Sequence, residues 1–309
     1  MKIIITGATG FIGRNLLEDY DFSHFDVTLI TRDLSKLESF SKKKKYKFVK
    51  ADLNDLESLC KAFENQDILI NLAAEVRDSS KLEETNVLGT NNIIEAIKRS
   101  TIQKVIHLSS VGVVGEGYNV DRLVVNENHP PDPKNEYERT KFISENLLLS
   151  ASNDLGFQFI VFRPTNVFGE FHPFNALLNL MKHIKNNGVL FYQKGAVVNY
   201  IYVKDLTHII YNSITNNEML GIFNVGKSML IKDFYHLLKY NLKSKSKLIT
   251  LPNFIFQLLA FFKIHKLNSV SNHTMYDDSK LETYICYKYD YEKGIKSTIQ
   301  FYKLNKKLE

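Results

Sequence analysis

Residues 2–13, KIIITGATGFIG, decide the fold of this chain. The β-branched apolar run at 3–5 predicts a short buried strand, and apolar residues recur at helical spacing over 11–17. Gly7, Gly10 and Gly13 lie between these two patterns, so the stretch predicts a strand, a tight glycine turn and a helix.

Such a turn directs backbone N–H groups at a helix N-terminus toward open space, where a diphosphate can bind. Glycine is required because a Cβ would block the approach of a cofactor and the packing of the helix on the strand. The alternative interpretation is a glycine-rich turn that only joins two elements, but its position between a buried strand and an amphipathic helix favours dinucleotide binding. The cofactor-binding residues expected here are Gly7, Thr9, Gly10, Phe11, Ile12 and Gly13.

Strand patterns alternate with helix patterns from the first residue onward, which predicts parallel strands joined by helices. Further strands are predicted at 26–31, 47–53, 68–71 and 104–108. The expected fold is α/β, a Rossmann-type doubly wound parallel sheet with a smaller C-terminal substrate-capping part. We expect residues 1–168 to form an NAD(P)-binding domain, with a return segment near 199–226, and residues 169–309 to form mainly the substrate-binding part.

The composition is ordinary for a globular enzyme, with 44% hydrophobic residues, 24% charged residues and a net charge of +6. The lysine run at 42–45 is interpreted as a solvated loop or helix end, with a nucleic-acid patch as the alternative, so no nucleic-acid partner is expected. Cys60 and Cys286 lie far apart and match no metal-ligand spacing. This pattern predicts a reducing, cytoplasmic location, no disulfide framework and no metal.

Neither of the two strongly apolar stretches is long enough to cross a membrane. The N-terminal run passes directly into the glycine turn and is too short for a signal peptide. Residues 254–264 are too short for a bilayer span and include Lys263. We expect a buried or interface helix there, with docking on a membrane surface as the alternative.

The strand predicted at 26–31 is followed by Arg32 and Asp33. At this position of a dinucleotide fold a carboxylate holds the 2′-hydroxyl of NAD, whereas an arginine accommodates the 2′-phosphate of NADP. Asp33 comes one or two residues late and the Arg32 guanidinium can fork onto a phosphate, so NADP is the expected cofactor and NAD the alternative. The other interpretation places Arg32 over the adenine or in solvent.

Two later strand ends are expected to contact the cofactor. Asp52 would accept a hydrogen bond from the adenine amino group and Leu53 would cover the ring, although a carboxylate here can also cap the next helix. The fourth predicted strand is followed by Leu72, Ala73 and Ala74, whose small side chains leave room for the cofactor backbone.

Hydroxyl, phenol and amine groups gather where a substrate would bind. Ser109 and Ser110 follow the fifth predicted strand, at the sheet edge where α/β proteins bind ligands. Asn135 is expected to cap a helix on which Tyr137 and Lys141 share one face. An ammonium near a phenol favours the phenolate, so we expect a lowered pKa for Tyr137, which would donate or accept a proton near neutrality.

With these features the chain resembles the extended branch of the short-chain dehydrogenase/reductases, the NAD-dependent epimerase/dehydratases. The resemblance covers nearly the full length of the chain. The motifs that carry it lie at residues 7–13, 52–53, 71–74, 86–90, 108–115, 137–141, 163–169, 199–205 and 292–295.

The resemblance implies a catalytic triad of Ser110, Tyr137 and Lys141, in which Tyr137 is the acid/base and Lys141 also binds the nicotinamide ribose. Ser109 is the alternative catalytic hydroxyl, since a strand end predicted from sequence can be one residue off. The other contacts implied are Ser109, Tyr137, Lys141 and Pro164 with the cofactor and Asn166 with the substrate. The alternative for Asn166 is an amide that stabilises its own loop.

Two departures from the family pattern bear on the substrate. Dehydratase members carry an Asp-Glu pair directly after the catalytic hydroxyl, whereas this chain has Val111 and Gly112, which argues against a dehydratase. Many nucleotide-sugar members have an arginine immediately before the position of Asn199. This chain has Val198 there, which weakens the case for a nucleotide-linked substrate without excluding it.

The expected function is therefore hydride transfer between NADP and a keto-sugar, free or nucleotide-linked, by an oxidoreductase with a Ser-Tyr-Lys triad. The first alternative is an NAD(P)-dependent nucleotide-sugar epimerase that uses the same triad. The second is a dinucleotide-binding protein without chemistry, which would be expected to lack the tyrosine or the lysine. The expected partners are a small sugar or sugar nucleotide and, from the resemblance, a second copy of the chain, which packs through the helices after Leu82 and around Tyr137.

Overall fold

The structure is a computed structural model, and it describes residues 1–37, 46–115, 123–172, 176–256 and 270–308. The lysine run at 42–45 and most of the apolar stretch at 254–264 lie outside the described residues. The chain forms two compact units. The first unit comprises Met1–Gly115, Pro130–Pro164 and Leu206–Phe223, and the second comprises Glu116–His129, Thr165–Asp205 and Asn224–Glu309. The division predicted at residue 168 concerns function and stays a prediction.

Strands and helices alternate along the chain. In chain order the strands are β1 (Lys2–Thr6), β2 (Asp26–Thr31), β3 (Lys47–Lys50), β4 (Ile68–Asn71), β5 (Lys104–Leu108), β6 (Leu123–Val125), β7 (Gln158–Pro164), β8 (Asn166–Phe168), β9 (Leu190–Gln193), β10 (Val197–Tyr202), β11 (Gly221–Val225), β12 (Lys227–Leu230), β13 (Leu248–Leu251) and β14 (Thr274–Tyr276). The main helices are α1 (Phe11–Asp19), α2 (Leu56–Phe63), α3 (Gly89–Lys98), α4 (Glu136–Leu155), α5 (Ala176–Lys185), α6 (Val203–Ser213), α7 (Ile231–Leu242), α8 (Ser279–Glu282) and α9 (Tyr291–Leu304). A π-helical turn at Glu83–Leu88 leads into α3, and a 3₁₀ turn at Val111–Val114 follows β5.

The central sheet has the strand order β3-β2-β1-β4-β5-β7-β11. The registers that link β3, β2, β1, β4, β5 and β7 are all parallel. The strand order reverses between β1 and β4, and doubly wound sheets bind ligands outside the carboxyl ends of the strands at such a point. The predicted α/β fold with a Rossmann-type sheet is confirmed.

The central strands are buried on both faces, as their continuous apolar runs predict. Ile3, Ile4 and Ile5 of β1 are all fully buried. Ile4 belongs to a core cluster with Leu69 of β4 and with residues of α2, α3 and α4. Burying each such side chain contributes about 2 kcal/mol, which fixes the sheet and therefore the strand ends that the candidate site uses.

Side-chain caps set where two of the helices begin. The Asn135 side chain accepts the N–H of Glu138 at 3.0 Å, which confirms the predicted cap of α4. The carboxylate of Asp55 accepts the N–H of Ser58 at 3.2 Å and caps α2. Helix α4 ends at Gly156, which has a φ of 77°.

The second unit contains three small sheets. Strand β10 lies between β8, to which it is parallel, and β12, to which it is antiparallel. The pairs β9–β13 and β6–β14 are both parallel. Aromatic rings fill the space beside β10, where Tyr200 stacks on Phe234 with ring centroids 5.1 Å apart. Across the described ranges, the helices lack the combination of length and apolar character that a bilayer span requires.

Candidate active site

The glycine turn after β1 is shaped by close contacts of its own backbone. Gly7 has a φ of +67°, and a Cβ there would lie 2.7 Å from the amide nitrogen of Ala73. A Cβ on Gly13 would overlap the carbonyl oxygen of Gly7. The packing of the chain itself therefore requires glycine at both positions.

Gly10 has a different reason to be glycine. A Cβ there would have one neighbour within 4 Å, the carbonyl oxygen of Gly7 at 3.1 Å, so this side of the turn is open. Gly10 is also the N-cap of α1, and no side chain caps this helix. An uncapped helix N-terminus beside an open backbone fits the diphosphate of a dinucleotide. The contacts expected from Thr9, Phe11 and Ile12 stay predictions.

At the end of β2, the Asp33 carboxylate accepts hydrogen bonds, whereas the Arg32 guanidinium makes none with the described residues. The Asp33 carboxylate accepts the hydroxyl of Ser35 at 2.7 Å and its N–H at 3.1 Å. These bonds, together with the charges of Lys36 and Lys50, lower the pKa of Asp33. Arg32 is exposed and makes no hydrogen bond or ion pair with the part of the chain that the structure describes. An exposed guanidinium of this kind is able to bind a phosphate.

Asp52 and Leu53 make contacts within the first unit. The Asp52 carboxylate accepts the N–H of Asn54 at 3.1 Å, so it stabilises the turn that precedes α2. Leu53 packs against Gly89, where a Cβ would lie 2.9 Å from the Leu53 Cβ. Half-buried directly after β4 lie Leu72, Ala73 and Ala74. The contacts of these five residues with a cofactor stay predictions.

A chain of buried hydrogen bonds crosses the carboxyl ends of β1, β4 and β5. The N–H of Ala73 donates to Thr6 Oγ1 at 3.1 Å, and Thr6 Oγ1 donates to Asn71 Oδ1 at 2.6 Å. The amide is thereby oriented so that Asn71 Nδ2 donates to His107 Nδ1 at 3.1 Å. His107 therefore carries its proton on Nε2. That nitrogen is fully buried and has no hydrogen-bond partner among the described residues.

The His107 ring is neutral. Burial, and then the charge of Lys141, hold the pKa of His107 well below its usual range. This hydrogen-bond network was not predicted from the sequence. The signal that could have revealed it is the polar residue near the end of each of three otherwise apolar strands, namely Thr6, Asn71 and His107.

The two strand-end serines present their hydroxyls differently. Ser110 Oγ accepts the N–H of Gly112 at 3.1 Å and caps the 3₁₀ turn after β5. Since the oxygen is the acceptor, the hydroxyl hydrogen of Ser110 stays available to donate. Ser109 is 3% exposed, and its Oγ has no partner among the described residues. The Ser110 hydroxyl is thus positioned by a backbone N–H and can donate a hydrogen bond. The Ser109 hydroxyl is buried and suits a contact with a bound group.

Two contacts hold the first turns of α4 against the end of β5. Lys141, which is 2% exposed, donates from Nζ to the carbonyl oxygen of Leu108 at 2.5 Å. Gly112 packs on Glu138, where a Cβ would lie 2.6 Å from the Glu138 Cγ. Tyr137 immediately precedes Glu138 in α4. The structure therefore brings Tyr137, Lys141 and the strand-end serines to one end of the same strand.

The predicted lowering of the Tyr137 pKa is wrong for this structure. Desolvation, and then the charge of Glu138, raise the pKa of Tyr137 to about 12. The Lys141 ammonium binds the Leu108 carbonyl instead of the phenol, and burial lowers its own pKa to about 8 against the opposing charge of Glu145. The Tyr137 hydroxyl makes no hydrogen bond with the described residues. A phenolate at Tyr137 therefore requires additional positive charge beside its oxygen.

A buried ion pair lies one turn along α4 from Lys141. Arg163 Nε donates to Glu145 Oε2 at 3.1 Å, and the two side chains are 6% and 1% exposed. Pro164, an expected cofactor contact, is buried directly after Arg163. Because removing one partner of a buried pair leaves an uncompensated charge, this pair fixes α4 on β7.

Asn86 fastens the loop after β4 to α4. Its Oδ1 accepts the N–H of Glu75 at 2.8 Å, and its Nδ2 donates to the Glu75 carbonyl oxygen and to Thr140 Oγ1, both at 3.0 Å. Burial disfavours the ionised form of Glu75, but hydrogen bonds from three consecutive backbone N–H groups prevail and lower its pKa. In the sequence, Asn86 stood out only as part of the family motif at residues 86–90. The π-helical turn that carries it is a feature frequent at functional sites.

In the second unit, Asn166 opens β8 and is exposed. Its side-chain amide makes no hydrogen bond with the described residues, which leaves the amide available to a substrate. In the same described ranges, no group of His, Cys, Asp and Glu side chains is arranged to hold a metal ion.

Comparisons with known proteins identify the family. The profile of the NAD dependent epimerase/dehydratase family matches residues 3–226. The N-acetyl-α-D-glucosaminyl-diphospho-ditrans,octacis-undecaprenol 4-epimerase of Escherichia coli O157:H7 is 31% identical over 224 residues, which are 70% of this chain and 63% of that protein. The dTDP-D-glucose 4,6-dehydratase of Mus musculus is 24% identical in an alignment of 330 residues that covers 98% of this chain and 89% of that protein.

Solved structures share the fold. UDP-glucuronic acid 4-epimerase from Bacillus cereus, solved with UDP-glucuronic acid and NAD, superposes with a TM-score of 0.79 at 21% identity and covers 99% of this chain and 100% of that chain. UDP-glucose 4-epimerase from Thermotoga maritima, solved with UDP-glucose, gives a TM-score of 0.77 at 20% identity with 99% coverage of both chains. This chain therefore belongs to the NAD-dependent epimerase/dehydratase family, whose members are enzymes of the short-chain dehydrogenase/reductase type.

Proposed function

We propose that this protein is a 4-epimerase that acts on a sugar linked to a carrier group through a diphosphate. The observation that carries the proposal is that the first turns of α4, which bear Tyr137 and Lys141, lie against the carboxyl end of β5, where Ser110 follows. Val111 and Gly112, which follow Ser110, cannot transfer the protons that removal of water requires. Similar proteins named as 4-epimerases support epimerisation as the reaction of this site.

A nicotinamide dinucleotide would supply the hydride acceptance and return that the reaction requires. Tyr137 takes the proton from the sugar hydroxyl, and Ser110 donates a hydrogen bond to the same oxygen. Because the pKa of Tyr137 is about 12 in the structure and the Lys141 ammonium binds the Leu108 carbonyl, the phenol needs further positive charge beside its oxygen before it can accept this proton. When the keto-sugar has turned so that the opposite face of C4 would receive the returned hydride, Tyr137 gives the proton back to the oxygen on C4.

Two classes of substrate differ in the carrier that is attached to the other end of the diphosphate. A nucleoside carrier occurs in the UDP-sugar complexes of similar fold, and a polyprenol carrier occurs in the name of the Escherichia coli relative. The shared chemistry is a pyranose with a free 4-hydroxyl and a diphosphate at C1. Asn166 would contact this substrate.

The test is incubation of the purified protein with UDP-glucose, with UDP-N-acetylglucosamine and with N-acetylglucosaminyl-diphospho-undecaprenol. We expect the 4-epimer of at least one of them to form without net change in the absorbance of reduced nicotinamide. Stoichiometric consumption of NADPH without an epimer would instead identify a reductase.

We further propose that the cofactor is NADP, held by Arg32. Support comes from its exposed guanidinium, from the nearby charges of Lys36 and Lys50, and from the engagement of Asp33 with Ser35. Replacing Arg32 removes one charge-assisted contact with the 2′-phosphate, which is worth a factor of about ten to a hundred in affinity.

Titration of both cofactors tests this preference. Arg32→Ala should weaken NADP by about tenfold or more and leave NAD nearly unchanged, whereas the control Arg99→Ala, on another exposed arginine, should change neither. Tighter binding of NAD than of NADP by the unaltered protein would show that the cofactor assignment is wrong.

An NADPH-dependent keto-sugar reductase is the second candidate, and the surroundings of Arg32 favour it. A reductase must exchange its cofactor in each turnover, whereas an epimerase can retain it. Gel filtration of the loaded protein separates the two, because retention of the cofactor through many turnovers supports the epimerase.

A further inference from the structure

We infer that the second unit docks on an anionic lipid surface through the exposed face of the β9–β13 sheet. The inference deepens the proposed function and rests on it, because it selects the polyprenol carrier, whose sugar lies at such a surface. No part of the site described above is involved in this contact.

The exposed face is apolar where most sheet surfaces are polar. Phe191 of β9 and Ile249 of β13 are direct register partners, and directly paired residues project from the same side of a sheet. Their exposed fractions are 43% and 41%. Val189, one residue before β9, is 39% exposed. Adjacent exposed apolar side chains of this kind mark an interaction surface.

Phe254 extends the apolar surface beyond the end of β13. It is 65% exposed, among the most exposed large apolar side chains of the described residues. Gln193 Nε2 of β9 donates to Asn253 Oδ1 at 3.2 Å, which ties the segment that carries Phe254 to the same sheet. We call Val189, Phe191, Ile249 and Phe254 the apolar face.

Lysines flank the apolar face. Lys194 directly follows β9, and Lys247 directly precedes β13 with Lys245 two residues earlier. All three are exposed, and none makes an ion pair with the described residues. Unpaired lysines beside an apolar face complement an anionic lipid surface, since each ammonium near the headgroups adds to the attraction.

The sequence favours lipid over a protein partner. Of the eleven residues at 254–264 in the sequence, nine are apolar, and Phe254 is the first of them. Its length is too short for a bilayer span, but an interfacial contact needs only a few apolar side chains at the headgroup boundary.

Sedimentation with lipid vesicles tests the inference. The full chain is mixed with vesicles of phosphatidylcholine alone or of phosphatidylcholine with phosphatidylglycerol, at low and at high salt. We expect binding to the anionic vesicles, weaker binding at high salt, and little binding to the neutral vesicles.

Matched variants assign the contact to the face. Phe191→Ser combined with Ile249→Ser should lower the affinity for anionic vesicles by about tenfold or more, whereas Leu155→Ser, which removes a 39% exposed side chain of the first unit, should not. Lys245→Glu combined with Lys247→Glu should also lower it by roughly tenfold or more, and Lys61→Glu in α2 should have a much smaller effect.

Two outcomes would overturn the inference. One is equal vesicle binding by the unaltered chain and the Phe191 and Ile249 double variant. The other is a dimer in light scattering that this double variant dissociates, which would make the face an interface between two copies. Conversion of N-acetylglucosaminyl-diphospho-undecaprenol dissolved in detergent separates these failures from failure of the proposed function, because the face variants should leave that activity unchanged.

Discussion

At the scale of the residue, the site is defined by what each polar atom already binds. Ser110 and Ser109 are neighbours, yet the first has its oxygen engaged by a backbone N–H while the second has a buried hydroxyl without a partner among the described residues. Sequence could place both at a strand end but could not choose between them, because the choice depends on the turn at 111–114. The raised pKa of Tyr137 shows the same limit, since helical spacing predicted its nearness to Lys141 but not the carbonyl that Lys141 binds.

Substitution of the two serines separates their roles. Ser110→Ala should lower kcat by about a hundredfold or more, because it removes a hydrogen bond to the reacting oxygen. Ser109→Ala should weaken cofactor binding and change kcat by much less. Steady-state kinetics and cofactor titration measure both, and the reverse order of effects on kcat would assign the catalytic hydroxyl to Ser109.

Tyr137→Phe should abolish turnover and leave the affinity for the cofactor nearly unchanged, because only the proton-carrying oxygen is removed. Turnover in single-cycle assays and cofactor titration by fluorescence give the two readouts. Undiminished turnover in this variant would rule out the acid/base role.

Lys141→Met should stabilise the protein while it abolishes activity. Burial lowers the pKa of Lys141 from 10.5 to about 8, so the charged form is less favourable in the folded chain than in the unfolded chain. This difference costs about 3 kcal/mol below pH 8, and the carbonyl left without a donor offsets about 1 kcal/mol of the gain.

The pH dependence of the stability penalty from Lys141 follows from how tightly the folded and unfolded chains bind its proton. Between pH 8 and 10.5 the unfolded chain holds the Lys141 proton more tightly, so the penalty falls as the pH rises through this window. Urea unfolding at pH 7 should therefore show a stabilised variant, and the gain should vanish near pH 10.5. A variant that is destabilised at pH 7 would contradict the assigned direction of the pKa.

At the scale of the element, strand and helix bounds were predictable where a local signal fixes them. The strands at 26–31, 68–71 and 104–108 appear with the predicted bounds, since polar residues lie at or next to the ends of each apolar run. Asn135 caps α4 as predicted. The strand predicted at 47–53 ends at Lys50, because Asp52 turns the chain toward α2 by accepting the N–H of Asn54.

The C-terminus of α6 shows an element fixed by a distant residue. Lys104, at the start of β5, is 4% exposed and donates from Nζ to the carbonyl oxygens of Ser213, Ile214 and Asn216 at 3.1, 3.1 and 2.8 Å. A buried cation at a helix C-terminus satisfies carbonyl groups that the helix itself leaves open. No sequence pattern relates positions more than a hundred residues apart.

Lys104→Met should lower the free energy of unfolding by about 3 kcal/mol, because several buried carbonyl oxygens would lose their donor. Lys98→Met is the control, since Lys98 makes an exposed ion pair with Glu95 that is worth less than about 1 kcal/mol. Chemical denaturation of both variants checks the difference, and equal stability of the two would refute the capping role.

At the scale of the whole molecule, the class of fold was predictable from one end of the chain. The glycine turn and the alternation of strand and helix patterns predicted a doubly wound parallel sheet, and the structure has one. Sequence could not supply the apolar face, because exposure of Phe191 and Ile249 depends on the pairing of β9 with β13.

The expected homodimer stays a prediction, and Leu88 offers a test of it. This residue lies in the π-helical turn ahead of α3 and is 53% exposed. If the helices after Leu82 pack against a second copy, Leu88→Glu should shift the chain from dimer to monomer in light scattering. A monomeric unaltered protein would show that the expectation is wrong.

The hydrogen-bond chain from Ala73 to His107 has one further consequence. Each atom along it has a single direction of donation, so one tautomer of the imidazole is allowed and its lone pair is already taken. Mild acidification, which converts many histidines into cations, would leave this ring uncharged. The charge near Lys141 at the centre of the sheet therefore does not change when the pH falls moderately below neutrality.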